Sequence, residues 1–209
     1  MLGSFNPAIF QPAWLASKNL ISPQDAQAAE VKLISPQFSG FKAGGIIVEV
    51  LPERFLVQVD EPLDQVRLRD LAIGIFAVLA ETPVHRMGLN WTQIFRMENE
   101  EKWHGIGDRL APKEIWSKLL RGRPGLKTMT VQGALPEGLR GQLNVKIEPI
   151  APAMPNGVRV ELNNDVMGPD REGPVQVDAF VEIIQMWWEK WRTESASIAG
   201  ELLKLAGAT

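Results

Sequence analysis

The chain has no cysteine and no tyrosine, only two histidines, and a net charge of −3. Each shortage narrows what it can be. Without cysteine there are no disulfides, thiol nucleophiles, iron–sulfur clusters or cysteine-ligated zinc. A charge so near zero sets up no global field toward nucleic acid or anionic lipid. Tyrosine is favoured at adaptable binding surfaces. Its absence, beside seven Trp and eight Phe, points these aromatics toward burial or fixed apolar contacts. The longest apolar run, near Leu71–Ala80, has about ten residues, too few for a bilayer core of about 30 Å. Met1-Leu2-Gly3-Ser4-Phe5 lacks a basic stretch followed by an apolar one, so no secretory signal is expected. A soluble, cytoplasmic protein with no membrane contact is the expectation.

Catalytic motifs are equally scarce. No H-E-x-x-H, phosphate-binding glycine loop or G-x-S-x-G occurs. The mixed His/carboxylate cluster is His104 with Glu100, Glu101 and Asp108. It offers acid/base or metal chemistry, against the plainer reading of a solvated loop. Asn163-Asn164-Asp165 with Asp170 and Glu172 could offer oxygens to a hard cation, but the D-x-[DN]-x-[DN]-G pattern is absent and these are ordinary turn residues. Arg121, Arg123, Lys127 and Arg140 form a basic concentration near Trp116. Cations of this kind also complement the C-terminal end of a helix. No cofactor or metal site is expected.

What is present is a foldable chain of 209 residues, 45% apolar and 22% charged, long enough to bury a sizeable core. Residues 1–27 read as an arm held by Phe5, Phe10 and Trp14. It carries a short helix from Pro12 and another from Pro23, with Ser22 as its N-cap. Val31–Phe41 reads as an edge strand interrupted by Pro36. Ile46–Leu51 and Phe55–Val59 read as a hairpin, Leu63–Ala80 as a helix flawed at Gly74, and Val84–Met97 as a strand. Glu98–Gly107 reads as a loop and Ala111–Arg121 as a helix. Leu126–Ala134, Gln142–Ile150 and Val158–Asn163 read as strands, and Asn163–Pro174 as a polar loop.

Val175–Leu205 reads as one long amphipathic helix. Val177, Val181, Ile184, Trp188, Trp191, Ser195, Ile198, Leu202 and Leu205 recur at alternating steps of four and three, a heptad-like seam. Its first half matches a sheet face. Its second half has no obvious cover and is expected to project.

These elements predict a single α+β domain over 1–209, with strand-rich halves at about 28–121 and 125–209. The expected sheet is curved and mainly antiparallel, of about six or seven strands, packed by the mid-chain and C-terminal helices. The expected function is a non-enzymatic interaction or assembly protein. It would contact a protein partner or a second copy through Trp187, Trp188, Trp191, Ile198, Leu202 and Leu205. Nucleic acid is not favoured. The alternative is a small-molecule binder with an apolar cavity lined by Trp91, Phe180, Met186, Trp187 and Trp188. A third reading is an enzyme using His104.

Overall fold

The computed structural model describes residues 1–59, 65–150, 152–168 and 175–207. In chain order its elements are β1 (Leu2–Gly3), α1 (Pro12–Ser17), α2 (Pro23–Gln27), β2 (Glu30–Ile34), β3 (Ser39–Ala43), β4 (Ile46–Leu51), β5 (Arg54–Val59) and α3 (Gln65–Val78). Then come β6 (Pro83–Arg96), α4 (Glu100–Leu110), β7 (Met129–Ala134), β8 (Arg140–Pro149), β9 (Gly157–Met167), β10 (Val175–Gln176) and α5 (Asp178–Leu205). The class is α+β with a mostly antiparallel sheet and a long C-terminal helix. The strand count exceeds the expected six or seven. Nine strands run in the order β2-β3-β4-β5-β1-β6-β9-β8-β7, and the two-residue β10 pairs with β6. The sheet is open. The chain forms two compact units, Met1–Met87 with Val166–Trp188, and Gly88–Asp165 with Glu189–Thr209. The cuts fall inside β6 and α5 and near the end of β9; Arg121–Gly125 lies within the second unit.

In the first unit, local signals act as expected. Pro12 and Pro23 open α1 and α2, and Ser22 Oγ accepts the Asp25 N–H at 2.9 Å. In β4, Ile46, Val48 and Val50 are buried while Ile47, Glu49 and Leu51 are half-buried, the alternation of a one-sided strand. β4 pairs with β5 from Ile46↔Val59 to Leu51↔Arg54 around Pro52-Glu53. The arm is held by aromatic contacts: Phe10 and Phe55 lie 5.4 Å apart, and Phe55 and Phe76 4.9 Å apart, edge to face. Such pairs add about 0.5–1.5 kcal/mol beyond area burial. The Gly74 flaw has a cause, since a Cβ there would lie 2.5 Å from Leu20 Cδ2. The start expected at Leu63 falls outside the described residues.

Two expectations for this unit need correction. Val31–Phe41 is not one interrupted strand but the hairpin β2–β3, because Ser35 Oγ accepts the N–H groups of Gln37 and Phe38 and turns the chain there. The arm is also more than packed. Leu2–Gly3 enters the sheet between β5 and β6, with Leu2 opposite Arg54 and Arg86. A two-residue strand has no periodicity to read.

The second unit departs further. Glu98–Gly107 is not a loop, since α4 starts at Glu100. The Asn99 side chain accepts the Lys102 N–H at 2.8 Å, Glu100 and Glu101 occupy the first turn, and Lys102 pairs with Glu98 at 2.8 Å. Conversely, Ala111–Arg121 is not a helix; only Trp116–Lys118 forms a 3₁₀ turn. Pro112 follows α4, and Lys113 Nζ donates to the carbonyls of Gly107 and Ala111 at 2.9 and 2.8 Å. Without a surface to cover its apolar side, so short a segment gains too little to stay helical. Asn163–Asp165 is not a turn either, because β9 continues to Met167 with Asn164 and Asp165 buried. The remaining Asp170 and Glu172 lie outside the described residues.

The seam of α5 also differs. Val177, Phe180, Ile184 and Trp188 are buried in the first unit as far as the cut, and Trp191 and Ser195 continue the stripe in the second. Then the stripe moves by one residue. Ala199, Leu203 and Ala206 are buried, while Ile198 and Leu202 are half-buried and Leu205 is 73% exposed. Arg109 Nη1 donates to the Leu205 carbonyl at 3.0 Å, so α4 holds the last turn. The second half of α5 therefore packs within its own unit instead of projecting.

Candidate functional site

The most unusual surface lies in the second unit, between α4 and β7. Every residue from Glu114 to Arg123 is exposed. Within that run Ile115 is 69% exposed, Trp116 49%, Leu119 71% and Leu120 54%. Single exposed apolar residues are ordinary, but four large ones in six positions are not. The segment is also basic. Residues 113–127 hold Lys113, Lys118, Arg121, Arg123 and Lys127 against Glu114, in a chain whose net charge is −3. Lys113 is spent on capping carbonyls and lies 4.0 Å from Asp108, and Arg123 Nη2 lies 3.3 Å from Asp108. Lys118, Arg121 and Lys127 remain exposed around the apolar side chains.

Next to this run, α4 lines a cleft of about 80 Å³ with Trp103, Ile106, Leu126, Ile147 and Val158, and with His104, Asp108 and Lys113. Glu100, His104 and Asp108 follow at intervals of four on one helical face. His104 Nε2 lies 3.3 Å from Glu100 Oε1, whose side chain is 78% exposed. Of the acids grouped with His104 in the sequence, the structure brings Glu100 to it, while Asp108 goes to Arg123 and Glu101 is exposed. Trp103 is fixed by its indole N–H, which donates to Gly157 O at 3.1 Å. Among the described residues no group of three His, Asp or Glu side chains forms a metal set. Asn163 donates to the Asn90 side chain rather than facing an ion.

Beside the cleft, four charges form a ladder across β8 and β9. Lys146 lies 2.8 Å from Glu148 and 3.4 Å from Glu161, and Arg159 lies 3.2 Å from Glu148. The hydrogen bond from Lys146 holds the Glu148 carboxyl below the usual carboxylate range, against the opposing effect of burial. A carboxylate with a depressed folded pKa contributes stability above its unfolded pKa of about 4.3 and loses it as pH falls through the folded value. Glu148→Gln is therefore expected to lower stability at pH 7 by roughly 0.5–1 kcal/mol, the scale of a partly exposed network. Thermal unfolding at pH 7 and pH 3 checks this, because the gap should narrow as pH falls. A gap of equal size at both would rule the ladder out as its source.

The residues predicted to meet a partner on α5 occupy different environments. Trp188 in the first unit is 5% exposed, and Trp191 in the second is 1% exposed. Trp187 is half-buried in the first unit. Ile198 and Leu202 are half-buried and Leu205 is exposed in the second. Trp91 and Phe180 are buried, and neither they nor Met186, Trp187 or Trp188 line the α4 cleft. The sequence predicts a helix over Ala111–Arg121 with Ile115, Trp116, Leu119 and Leu120 along one side, a spacing that gives no sign of their exposure. Pro112 just after the Arg109–Leu110 end of α4 was the available signal against that. Among the described residues no helix is long and apolar enough to cross a membrane. Comparison with models of protein families, with curated proteins and with solved structures finds no match to this chain.

Proposed function

We propose that this protein is a non-enzymatic interaction or assembly protein whose principal contact with a partner protein is the exposed segment Ile115–Leu120. The observation that carries the reading is the exposure of Ile115, Trp116, Leu119 and Leu120 together within a basic surround. A large aromatic and three aliphatic side chains kept in water are the composition of an interface centre, and Trp and Arg are the residue types that dominate interface energetics. Lys118, Arg121 and Lys127 fit a partner with acidic groups around an apolar recess, and they would speed encounter more than tighten the complex. On α5, Ile198, Leu202 and Leu205 extend this reading as further contacts. Trp188 and Trp191 would act only by holding the helix.

The small-molecule alternative has two clefts in its favour. The α4 cleft, at about 80 Å³, is well below the roughly 300–1,000 Å³ typical of ligand sites. A second, of about 320 Å³, is lined by Asp108, Lys113, Glu114, Ser117 and Arg123, a charged lining unlike the mostly apolar one of such sites, so this reading ranks second.

The test is a Trp116→Ala, Leu119→Ser variant. Both side chains are exposed, so unfolding temperature should stay within a few degrees of the parent. Partners captured from the native cell extract by the parent chain should be lost by the variant. For an isolated partner the affinity should fall roughly 700-fold, from two contacts of about 2 kcal/mol each where additive. A partner profile identical for parent and variant sinks the proposal.

A further inference from the structure

The sheet ends in two unlike edges. β2 carries Glu30 and Lys32, and its pairing with β3 shifts register between Val31 and Leu33. Charge and irregular register are ordinary devices that keep an edge from pairing with another chain. β7 at the opposite edge has neither. Met129–Ala134 contains no charged residue and no proline, and it pairs with β8 in unbroken register from Met129↔Ile147 to Ala134↔Gln142. Among the described residues no strand lies on its other side. Alternate residues of an edge strand direct N–H and C=O outward, so β7 offers a regular template for one more strand.

We infer that β7 is where two copies of this chain pair, edge to edge and antiparallel, about a twofold axis through Gln132. Identical antiparallel strands must match residues of like orientation, so a twofold axis has to pass through a residue and not between two. The choice of Gln132 follows from three features. It brings Lys127, two residues before β7, to the end where Glu137 of the second copy stands, in the turn three residues after its own β7, so opposite charges flank both ends of the strand pair; both residues are exposed. It sets Val131, 54% exposed, against Gly133 of the second copy, where nothing stands within 4 Å of a Cβ position. It also brings the two exposed Gln132 side chains face to face, so no like charges oppose. Moving the axis to Thr130 or Ala134 loses the charge match. Apart from Lys127, which borders both, this surface is distinct from Ile115–Leu120, and it does not depend on that reading. A five-residue strand pair, Thr130–Ala134 on each copy, is a small interface, so the dimer is expected at micromolar concentration or weaker.

Sedimentation velocity from 1 to several hundred micromolar (roughly the range for such an interface) tests it. The parent chain should move from monomer toward dimer. Gln132→Lys and Gln132→Glu should each stay monomeric with unchanged circular dichroism, because each sets like charges across the axis. An equimolar mixture of the two should recover the dimer. Lys127→Glu should weaken pairing at least several-fold, and adding Glu137→Lys should restore it. The Trp116→Ala, Leu119→Ser variant should dimerise as the parent does. A parent monomeric throughout, a dimer that survives Gln132→Lys, or one lost with Trp116 and Leu119 overturns the inference.

Discussion

Replacing Trp191 with alanine is expected to cost about 3–5 kcal/mol, the range for removing a large aromatic from a packed interior. For a chain of this length that lowers the unfolding temperature by roughly 6–20 °C. Trp191 is 1% exposed within the second unit, at the point where the α5 stripe continues through Ser195, Ala199 and Leu203. Ser195 and Ala199, the next two residues of the stripe, are small, so neither can reach into the space. Trp116→Ala is the control. That side chain is 49% exposed, and its loss should change stability by no more than about 0.5 kcal/mol. The two variants divide the tryptophans by role: Trp191 supports the fold, while Trp116 is open to a partner. Denaturant unfolding of both decides it. A Trp191→Ala protein as stable as its parent would return that residue to the partner-facing role its heptad spacing suggests.

That contrast also marks how far the fold was legible in the residues. Strands with a one-sided alternation could be placed, as in Ile46–Leu51 against Arg54–Val59, because period two and a short turn leave few other solutions. Proline starts and the Ser22 cap were equally readable. The end of α5 was not. Hydrophobicity ranks Ile198, Leu202 and Leu205 above Ala199 and Ala206, yet the small residues are buried and Leu205 is exposed. Apolar residues are not obliged to be inside, and a helix held close by another element favours small side chains at the contact. The Arg109 bond to the Leu205 carbonyl, which spans 96 positions of sequence, fixes the last turn and has no local signature. For α4, two glycines and dense charge suggested a loop, although Asn99 followed by Glu100 and Glu101 was a readable start signal. The exposed site was missed for the opposite reason. Ile115, Trp116, Leu119 and Leu120 have the spacing of a packed helical face, and spacing alone cannot say whether the chain supplies anything to pack on it.

Gly141→Ala is the second substitution expected to have a large effect, and it acts through backbone alone. Gly141 lies at the start of β8 with φ +129, a conformation side chains rarely adopt. A Cβ there would overlap the carbonyl oxygen of Asp165 and lie 3.0 Å from its carbonyl carbon. The obstacle is main chain on β9, so no rotamer change relieves it. Either β8 and β9 part at this end, or Gly141 abandons its conformation; both disturb buried Asn164 and Asp165. A loss above about 4 kcal/mol is expected, seen as a drop in unfolding temperature beyond about 8 °C or as failure to accumulate folded protein. Gly105→Ala provides the matched comparison. Gly105 is inside α4 with nothing within 4 Å of its Cβ position, so alanine should raise stability by up to about 1 kcal/mol through helix propensity. The same chemical change thus carries opposite signs at two positions. Equal unfolding temperatures for the two variants would show that the approach of β8 to Asp165 is not what holds this end of the sheet. The β7–β8 hairpin starts from the same corner, so a Gly141→Ala chain that stays folded should also lose the β7-edge dimer.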